Sequence, residues 1–332
     1  MTLLIKLHSQ ITVTTTSIES ADNILRYINE VAANQFEEFI QTYNKQYETE
    51  LEKAMRFGIF LKNLDKIASQ NKANSDAVFG ITKFSDLINE EFIQYHTGYI
   101  QLGHNTRSSC SVDSNISDVK AESQFDWRDK GVVTRVKDQG TCGSCWAFSV
   151  IGNVESVNAI KTNRLQELSE QQLVDCDKSS LGCNGGLPDK ALEYLMETGS
   201  IPESAYPYEA KNGKCRYDEN SVAVRIQKCL IVSVSEDQLP QKLTELGPLS
   251  IAIDASNIAG YGGGVMANEH CIGYQLNHAV LIVGYGQDSK TGKNYWLVKN
   301  SWGTQWGEQG YFRIERGVNC LAFMNSQIIT AA

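Results

Sequence analysis

No apolar run of about 18 residues, the minimum for a membrane-spanning helix, occurs in this 332-residue sequence. A spanning helix is therefore excluded. Basic residues are in deficit, with 30 Lys and Arg against 39 Asp and Glu and a formal charge of −9. Such a chain repels phosphate backbones and anionic lipid surfaces over any broad contact, so neither nucleic acid nor a membrane is an expected partner. There is no internal repeat, no low-complexity tract, and no second C-x-x-C beside Cys142–Cys145 to complete a zinc tetrahedron. No metal and no cofactor are expected. The amino terminus lacks the ~7–15-residue apolar core of a secretory signal, since Leu3-Leu4-Ile5 is broken by Lys6 and followed by the hydroxyl-rich stretch Thr12 to Ser17.

What is present is an ordinary globular composition, 42% hydrophobic and 21% charged, in a chain long enough for one large domain or two of roughly 100–200 residues. Nine cysteines stand out: Cys110, Cys142, Cys145, Cys176, Cys183, Cys215, Cys229, Cys271 and Cys320. A reducing compartment rarely tolerates so many without metal or redox work, and an odd number leaves one thiol unpaired. Disulfides formed in the secretory pathway are the preferred reading, with the chain in a lysosome-like compartment or secreted. The leader argues the other way, so it is degenerate, or the true start differs, or export takes another route.

From Phe36 to about Asn74 the pattern predicts a helix. Within it Glu52, Arg56, Phe60, Asn63, Ile67 and Asn71 recur at steps of 4, 4, 3, 4 and 4 and share one face. Polar groups on an inward face need partners there; a solvated helix with aligned charges is the alternative. The stretch from about Gly98 to Ser123, rich in Ser, Asn, Asp and Thr, reads as an exposed linker, and Asn115-Ile116-Ser117 within it is a glycosylation sequon. Beyond Phe125-Asp126-Trp127 the periodicity predicts helices through Ala147–Ile160, Ser169–Cys176 and Ala191–Met196. It then predicts strands at Ala223–Val232, Leu249–Ala255, His278–Tyr285, Tyr295–Lys299 and Tyr311–Glu315. Helices followed by strands indicate an α+β chain with two subdomains and a cleft between them.

The chemistry concentrates at Gln139-Gly140-Thr141-Cys142-Gly143-Ser144-Cys145-Trp146, where a glycine turn feeds a helix. A sulfur at a helix amino terminus is biased toward the thiolate, the attacking species, and a nearby histidine strengthens that bias while carrying the proton. Of the five histidines, His8 lies in the leader, His96 and His104 in or beside the linker, and His270 in a glycine-rich loop; only His278 opens an apolar strand that holds it rigidly. Asn300 ends the strand Tyr295–Lys299 and offers an amide to orient the imidazole. Trp302 and Trp306 follow, either as a shield over that hydrogen bond or as plain core aromatics. Cys142-Gly143-Ser144-Cys145 also suggests a thioredoxin-like redox pair, which wants a short βαβ surround that is missing. The run Gly260–Gly264 lacks the Lys-Ser/Thr of a nucleotide site.

Together these residues resemble the papain family of cysteine proteases over roughly Phe36 to the carboxyl terminus. The carriers are the Cys145 motif, Cys176, Cys183-Asn184-Gly185-Gly186, the His278 strand and Asn300-Ser301-Trp302-Gly303. The six-residue helical face resembles the E-R-F-N-I-N signature of cathepsin L-type propeptides. Gly80-x-Thr82-x-Phe84-x-Asp86 is similar to the family's G-x-N-x-F-x-D, with threonine replacing asparagine. The lines Asn277–Val280, Trp306–Arg313 and Ile253–Ser256 are most similar to the viral cathepsins of insect baculoviruses, with insect cathepsins next.

The resemblance implies a papain-like fold, with a helical left subdomain and a β-barrel-like right subdomain behind an inhibitory propeptide. It divides the chain into a leader (1–34), a propeptide (35–97), a linker with the processing site near Lys120–Gln124 (98–122) and a catalytic domain (123–332). It implies a cysteine endopeptidase with Cys145 as nucleophile, His278 as proton carrier and Asn300 as its orienter. The Gln139 side chain and the Cys145 N–H would hold the oxyanion. Gly185 and Gly186 would pair with the substrate backbone, and Leu187, Pro188, Ala252 and Leu276 would line an apolar pocket for the second residue before the cut. Leu321 stands where the family usually has glycine, so the pocket floor near Asn325 is left unassigned. Implied disulfides are Cys142–Cys183, Cys176–Cys215 and Cys271–Cys320, with Cys145 free. Cys110 and Cys229 are left over, preferably as inert thiols, alternatively as a bridge from linker to mature domain. Implied partners are protein or peptide substrates, the chain's own propeptide and cystatin-type inhibitors, acting on a monomer. Acid pH, by protonating carboxylates such as Asp86, is expected to loosen the propeptide and permit its removal. The rivals are an inactive relative or an inhibitor acting through its propeptide, against which Gln139, Cys145, His278 and Asn300 are all intact.

Overall fold

The computed structural model describes residues 18–72, 76–101, 108–116 and 121–332, with side chains from Glu30 onward. Half of the leader, His8, His104, Ser117 of the sequon and Lys120 of the expected processing site lie outside the described residues. The single helix expected from Phe36 to Asn74 is two, α1 (Ile18–Thr42) and α2 (Glu50–Gln70). The break has local causes. Asn44 takes the left-handed conformation (φ 49°) that ends a helix, and Thr49 restarts one by accepting the Glu52 N–H on its hydroxyl at 3.1 Å. The turn lets Phe36 and Phe39 of α1 pack on the fully buried Phe60 of α2, with ring centroids 5.2 Å apart in both pairs. Strand β1 (Val78–Phe79) and helix α3 (Asn89–His96) complete this region.

Two parts of the stretch read as an exposed linker are engaged with the rest of the chain. Gly98–Ile100 is hydrogen-bonded to Asn277 and Gly186, and β2 (Ser111–Asp113) pairs in parallel with a strand of the later region, β4 (Cys229–Val232). The register sets Ser111 opposite Leu230. That alignment brings Cys110 beside Cys229, and the two form a disulfide, which overturns the preference for inert thiols. Main-chain pairing, invisible in the polar composition of this stretch, accounts for both differences.

After β3 (Phe125–Asp126), helices α4 (Cys145–Thr162), α5 (Glu170–Cys176) and α6 (Pro188–Thr198) form the helical subdomain. The body of α4 is buried on every side, through Trp146, Val150, Ile151 and Val154, as a helix at the centre of a domain must be. Helix α7 (Leu239–Leu246) and strands β5 (Leu249–Ile253), β6 (Tyr261–Gly263), β7 (Val265–Met266), β8 (His278–Gln287), β9 (Asn294–Lys299), β10 (Tyr311–Glu315) and β11 (Ile328–Ala331) make the second. Of the strand expected over Ala223–Val232 only Cys229–Val232 forms, because Ala223 and Val224 are tied instead to Ser200. The sheet runs β2-β4-β11-β5-β8-β9-β10-β7, with β3 on β8. It is open, and no closed barrel forms among the described residues. The three implied disulfides are present and Cys145 is the free cysteine.

Candidate active site

Cys145 is the first residue of α4. Its entry is pinned by the Cys142–Cys183 disulfide and by the Gly143 N–H, which donates to the Cys183 carbonyl at 2.8 Å. That bridge removes Cys142 from any redox partnership with Cys145. Across the interface His278 opens β8, and the next residue, Ala279, donates its N–H to the Cys145 sulfur at 3.4 Å. His278 Nε2 and Asn300 Oδ1 are 2.8 Å apart. An amide oxygen can only accept, so Nε2 carries the proton and the lone pair falls on Nδ1. Buried Nδ1 has no hydrogen-bond partner among the described residues. The free thiol, the lone pair and the orienting amide are thus delivered by three separate elements, α4, β8 and the end of β9.

Trp302 stacks on the His278 ring at 4.5 Å, with Trp306 edge-on to it at 4.8 Å. Both indoles are buried, and Trp302 is a shield over the imidazole as well as a core aromatic. Gln139 is held from both sides. Its Nε2 donates to the Cys142 carbonyl at 2.9 Å and its Oε1 accepts from the Ser301 hydroxyl at 2.7 Å, while its own N–H donates to the Ser301 carbonyl.

The cleft is filled by the chain itself. Gly98 and Tyr99 both donate to the Asn277 carbonyl at 2.9 Å; Gly186 N–H donates to Gly98, and Ile100 N–H donates back to Gly186. The bridge between Tyr99 and Gly186 is parallel. Glycine is required here, because a Cβ on Gly185 would lie 2.8 Å from the Gly98 oxygen and one on Gly186 2.4 Å from the Trp146 ring. The Tyr99 side chain packs with Ala252, Leu276 and Ala322. Leu187 and Pro188 are buried at the start of α6 but lie outside that cluster. Ala322 belongs to that cluster, while Asn325, near which the pocket floor was left unassigned, pairs with Asn319. Leu321 adopts the left-handed conformation suited to glycine (φ 57°) and accepts the Asp254 N–H at 2.9 Å.

All six residues of the helical face find partners. Glu52 accepts the Glu48 N–H, Arg56 reaches Glu91 and the Asp86 carbonyl, and Asn63 bonds the Ser85 and Leu87 carbonyls. Asn71 exchanges two bonds with Phe79, and Phe60 and Ile67 are buried. The face therefore holds the segment from Phe79 to Glu91, and the solvated-helix alternative is excluded. Within that segment Asp86 is buried against Lys45 and Tyr47, Gly80 N–H donates to the Gly260 carbonyl, and Thr82 donates to the Ala259 carbonyl at 2.8 Å, so threonine makes a contact of its own. Gly260–Gly264, dismissed as a nucleotide site, receives the propeptide: β6 pairs with β1, and a Cβ on Gly264 would meet the Asp76 carbonyl at 2.1 Å.

Sequence reasoning missed His96 and Tyr99. Tyr99 sits in a stretch where Gly98-Tyr99-Ile100 carries no signal beyond two apolar residues among polar ones, and His96, one turn after Phe92, ends α3, a helix that the sequence reading did not identify. His96 bonds the Gly140 carbonyl through Nδ1 at 2.9 Å, its own carbonyl accepts the Trp302 indole N–H, and its ring meets Phe84. His270 bonds the Gln70 carbonyl and takes no part in the site.

Electrostatically the site is silent. Burial drives the Cys145 thiol up to about 12, against the lowering effect of surrounding backbone N–H groups that include Ala279 and Tyr99. Burial also drives His278 down to about 4, against the Asn300 hydrogen bond. The ionised sulfur expected from the helix terminus is disfavoured here, because burial raises the thiol by more than the surrounding backbone N–H groups lower it.

A family model described as papain family cysteine protease matches residues 121–332, and one described as cathepsin propeptide inhibitor domain (I29) matches 36–92. Viral cathepsins of Orgyia pseudotsugata multicapsid polyhedrosis virus and Choristoneura fumiferana nuclear polyhedrosis virus are each 44% identical, covering 90% and 89% of this chain and 92% and 90% of theirs. Digestive procathepsin L2 from the Tenebrio molitor larval midgut superposes with a TM-score of 0.84 at 36% identity, covering 91% of this chain and 99% of that one. The recombinant stem bromelain precursor gives 0.81 at 37% identity, covering 91% and 98%. The chain belongs to the papain family of cysteine proteases, as an endopeptidase precursor that carries its own cathepsin-type inhibitory propeptide.

Proposed function

We propose that Cys145 cuts peptide bonds once Gly98–Ile100 leaves the cleft. The observation carrying this is the geometry around one sulfur: the free cysteine of nine, at the start of a buried helix, touched by the N–H that follows a histidine whose Nδ1 is unpaired. Water readmitted to the cleft lowers the desolvation that keeps thiol and imidazole neutral, and the proton passes from Sγ to Nδ1. The thiolate forms a bond to the scissile carbonyl carbon, and the carbonyl oxygen, now negative, is held by the Gln139 side-chain N–H and the Cys145 backbone N–H. The amine departs with the proton from Nδ1, leaving a thioester. Water, giving its proton to the same nitrogen, hydrolyses the thioester and restores the thiol. Asn300 keeps the imidazole turned with Nδ1 free throughout, and Trp302 keeps water from the Asn300–His278 bond.

Tyr99 marks the pocket lined by Ala252 and Leu276 and supports preference for an apolar or aromatic residue two before the cut. Acid pH is the proposed trigger and Lys120–Gln124 the processing site, in a secretory, lysosome-like or extracellular compartment that four disulfides favour. Exposed Asn115 suits a glycan there. A monomer open to cystatin-type inhibitors completes the reading. The test is hydrolysis at mildly acid pH of a peptide with an apolar residue two before the cut; Cys145→Ala is expected to abolish it, and undiminished hydrolysis refutes the assignment.

A further inference from the structure

Cys110 belongs to the propeptide side of the expected processing site and Cys229 to the mature domain, yet they are joined. We propose that cutting near Lys120–Gln124 does not free the propeptide: the bridge keeps it covalently attached, and its departure requires a thiol reductant. The inference rests on the processing reading above only for the position of the cut.

The bridge is the centre of a built junction. Cys110 is 7% exposed and Cys229 1%. Beyond it, Ser111, Val112 and Asp113 align with Leu230, Ile231 and Val232, and the Ser233 N–H donates to the Asp113 carbonyl at 2.8 Å. The Asp113 carboxylate accepts from Lys242 Nζ at 2.8 Å, and that lysine is 1% exposed. Before it, the Ser109 N–H donates to Glu193 of α6 at 2.6 Å. Contacts are therefore made with β4, α6 and α7, all in the catalytic domain, and none of them is severed by a cut after Ser117. A buried bridge inside a paired strand is shielded from reductant until the strand opens.

Retention has a functional consequence. Tyr99 precedes Cys110 by only eleven residues, so a tethered propeptide faces its own cleft at an effective concentration of order millimolar. Inhibition is then unimolecular and does not relax on dilution. Release proceeds by thiol–disulfide exchange. A thiolate of the reductant bonds to one sulfur of the bridge and expels the other as thiolate; a second thiol then displaces the first cysteine. Two reductant thiols are oxidised to one disulfide, and Cys110 and Cys229 are reduced to two thiols.

The test uses the full-length Cys145→Ala precursor, which cannot cut itself, nicked by limited trypsin, a thiol-independent protease that cuts after Lys120. The nick is verified by a new amino terminus at Ala121 and by the absence of one at Ser108, since a cut after Arg107 would part the inhibitor from Cys110 whatever the state of the bridge. On a denaturing gel without reductant the nicked chain is expected to run as one species and to divide in two with dithiothreitol; the Cys110→Ser version divides without it. Two bands from the unreduced Cys110 protein overturn the proposal. Because trypsin makes the cut, failure of self-processing and failure of the tether give separate results. Active-site-intact precursor nicked the same way supplies a second reading: its fractional activity should hold constant over about hundredfold dilution and become dilution-dependent after Cys110→Ser. Dilution dependence in the unreduced Cys110 enzyme overturns the retention of inhibition.

Discussion

Trp302 lies flat on His278, ring centroids 4.5 Å apart and planes 23° from parallel, while Phe84 of the propeptide meets the same indole edge-on at 5.2 Å. One ring thus covers the proton carrier and receives the inhibitor. The propeptide and the proposed proton carrier share one aromatic neighbour.

Phe84→Ala should loosen the propeptide. Phe84 is 3% exposed and packs on Trp302, Phe92 and His96, so truncation costs roughly 3 kcal/mol, at the lower end for a buried aromatic. Cleavage of the precursor in trans at pH 7 should accelerate, and an unchanged rate would show that this contact does not hold the propeptide.

His96 makes the grip pH-dependent. Burial, with Lys83 nearby, pushes it down to about 4, opposed by the Gly140 carbonyl and Asp138. A histidine whose pKa is depressed on docking binds best when neutral. Its contribution is complete above the ordinary value of 6.5 and is lost as pH falls from 6.5 through about 4, a swing of roughly 3 kcal/mol at the low end. His96→Gln should flatten the pH dependence of precursor processing between 6.5 and 4, and a profile as steep as that of the unmodified chain counts against this histidine.

Tyr99→Ala should unmask activity without proteolysis. Its ring fills the cluster of Ala252, Leu276 and Ala322, worth roughly 2–3 kcal/mol of apolar burial. Uncut precursor should then hydrolyse a small dipeptide substrate measurably, while the unmodified precursor stays silent; equal silence in both would place the inhibition elsewhere.

Gln139→Ala should act on the chemical step. The buried side chain is fixed by Ser301 and Cys142 and its Nε2 is the proposed oxyanion donor. Its removal is expected to lower kcat by roughly 10²–10³-fold with little change in KM. A rise in KM alone would make it a binding residue.

The site was legible where its chemistry is local. Cys145 at a helix start, His278 at a strand start and Asn300 at a strand end are each announced by immediate neighbours, because helix initiation and strand alternation are short-range. The face from Glu52 to Asn71 was legible as one face, with docking partners or solvent both left open, since i, i+4 spacing is a property of one helix. What docks was not visible: Ser85, Asp86 and Leu87 meet Arg56 and Asn63 only after the chain has reversed. Tyr99 and His96 act through partners elsewhere in the fold, and no spacing rule marks them.

By itself, the sequence determined the reaction: one odd sulfur, one rigid histidine, one amide and an inhibitor helix ahead of them, each marked by its immediate neighbours although they lie far apart along the chain. Tertiary structure decided the state. Burial of Cys145 and His278 pushes the thiol up and the imidazole down, both toward the neutral form, because desolvation depends on everything that surrounds a group and not on what precedes it. It also decided that Cys110 and Cys229, separated by 119 residues, become neighbours, since only the register of two paired strands brings sulfurs so distant in the chain within bonding distance.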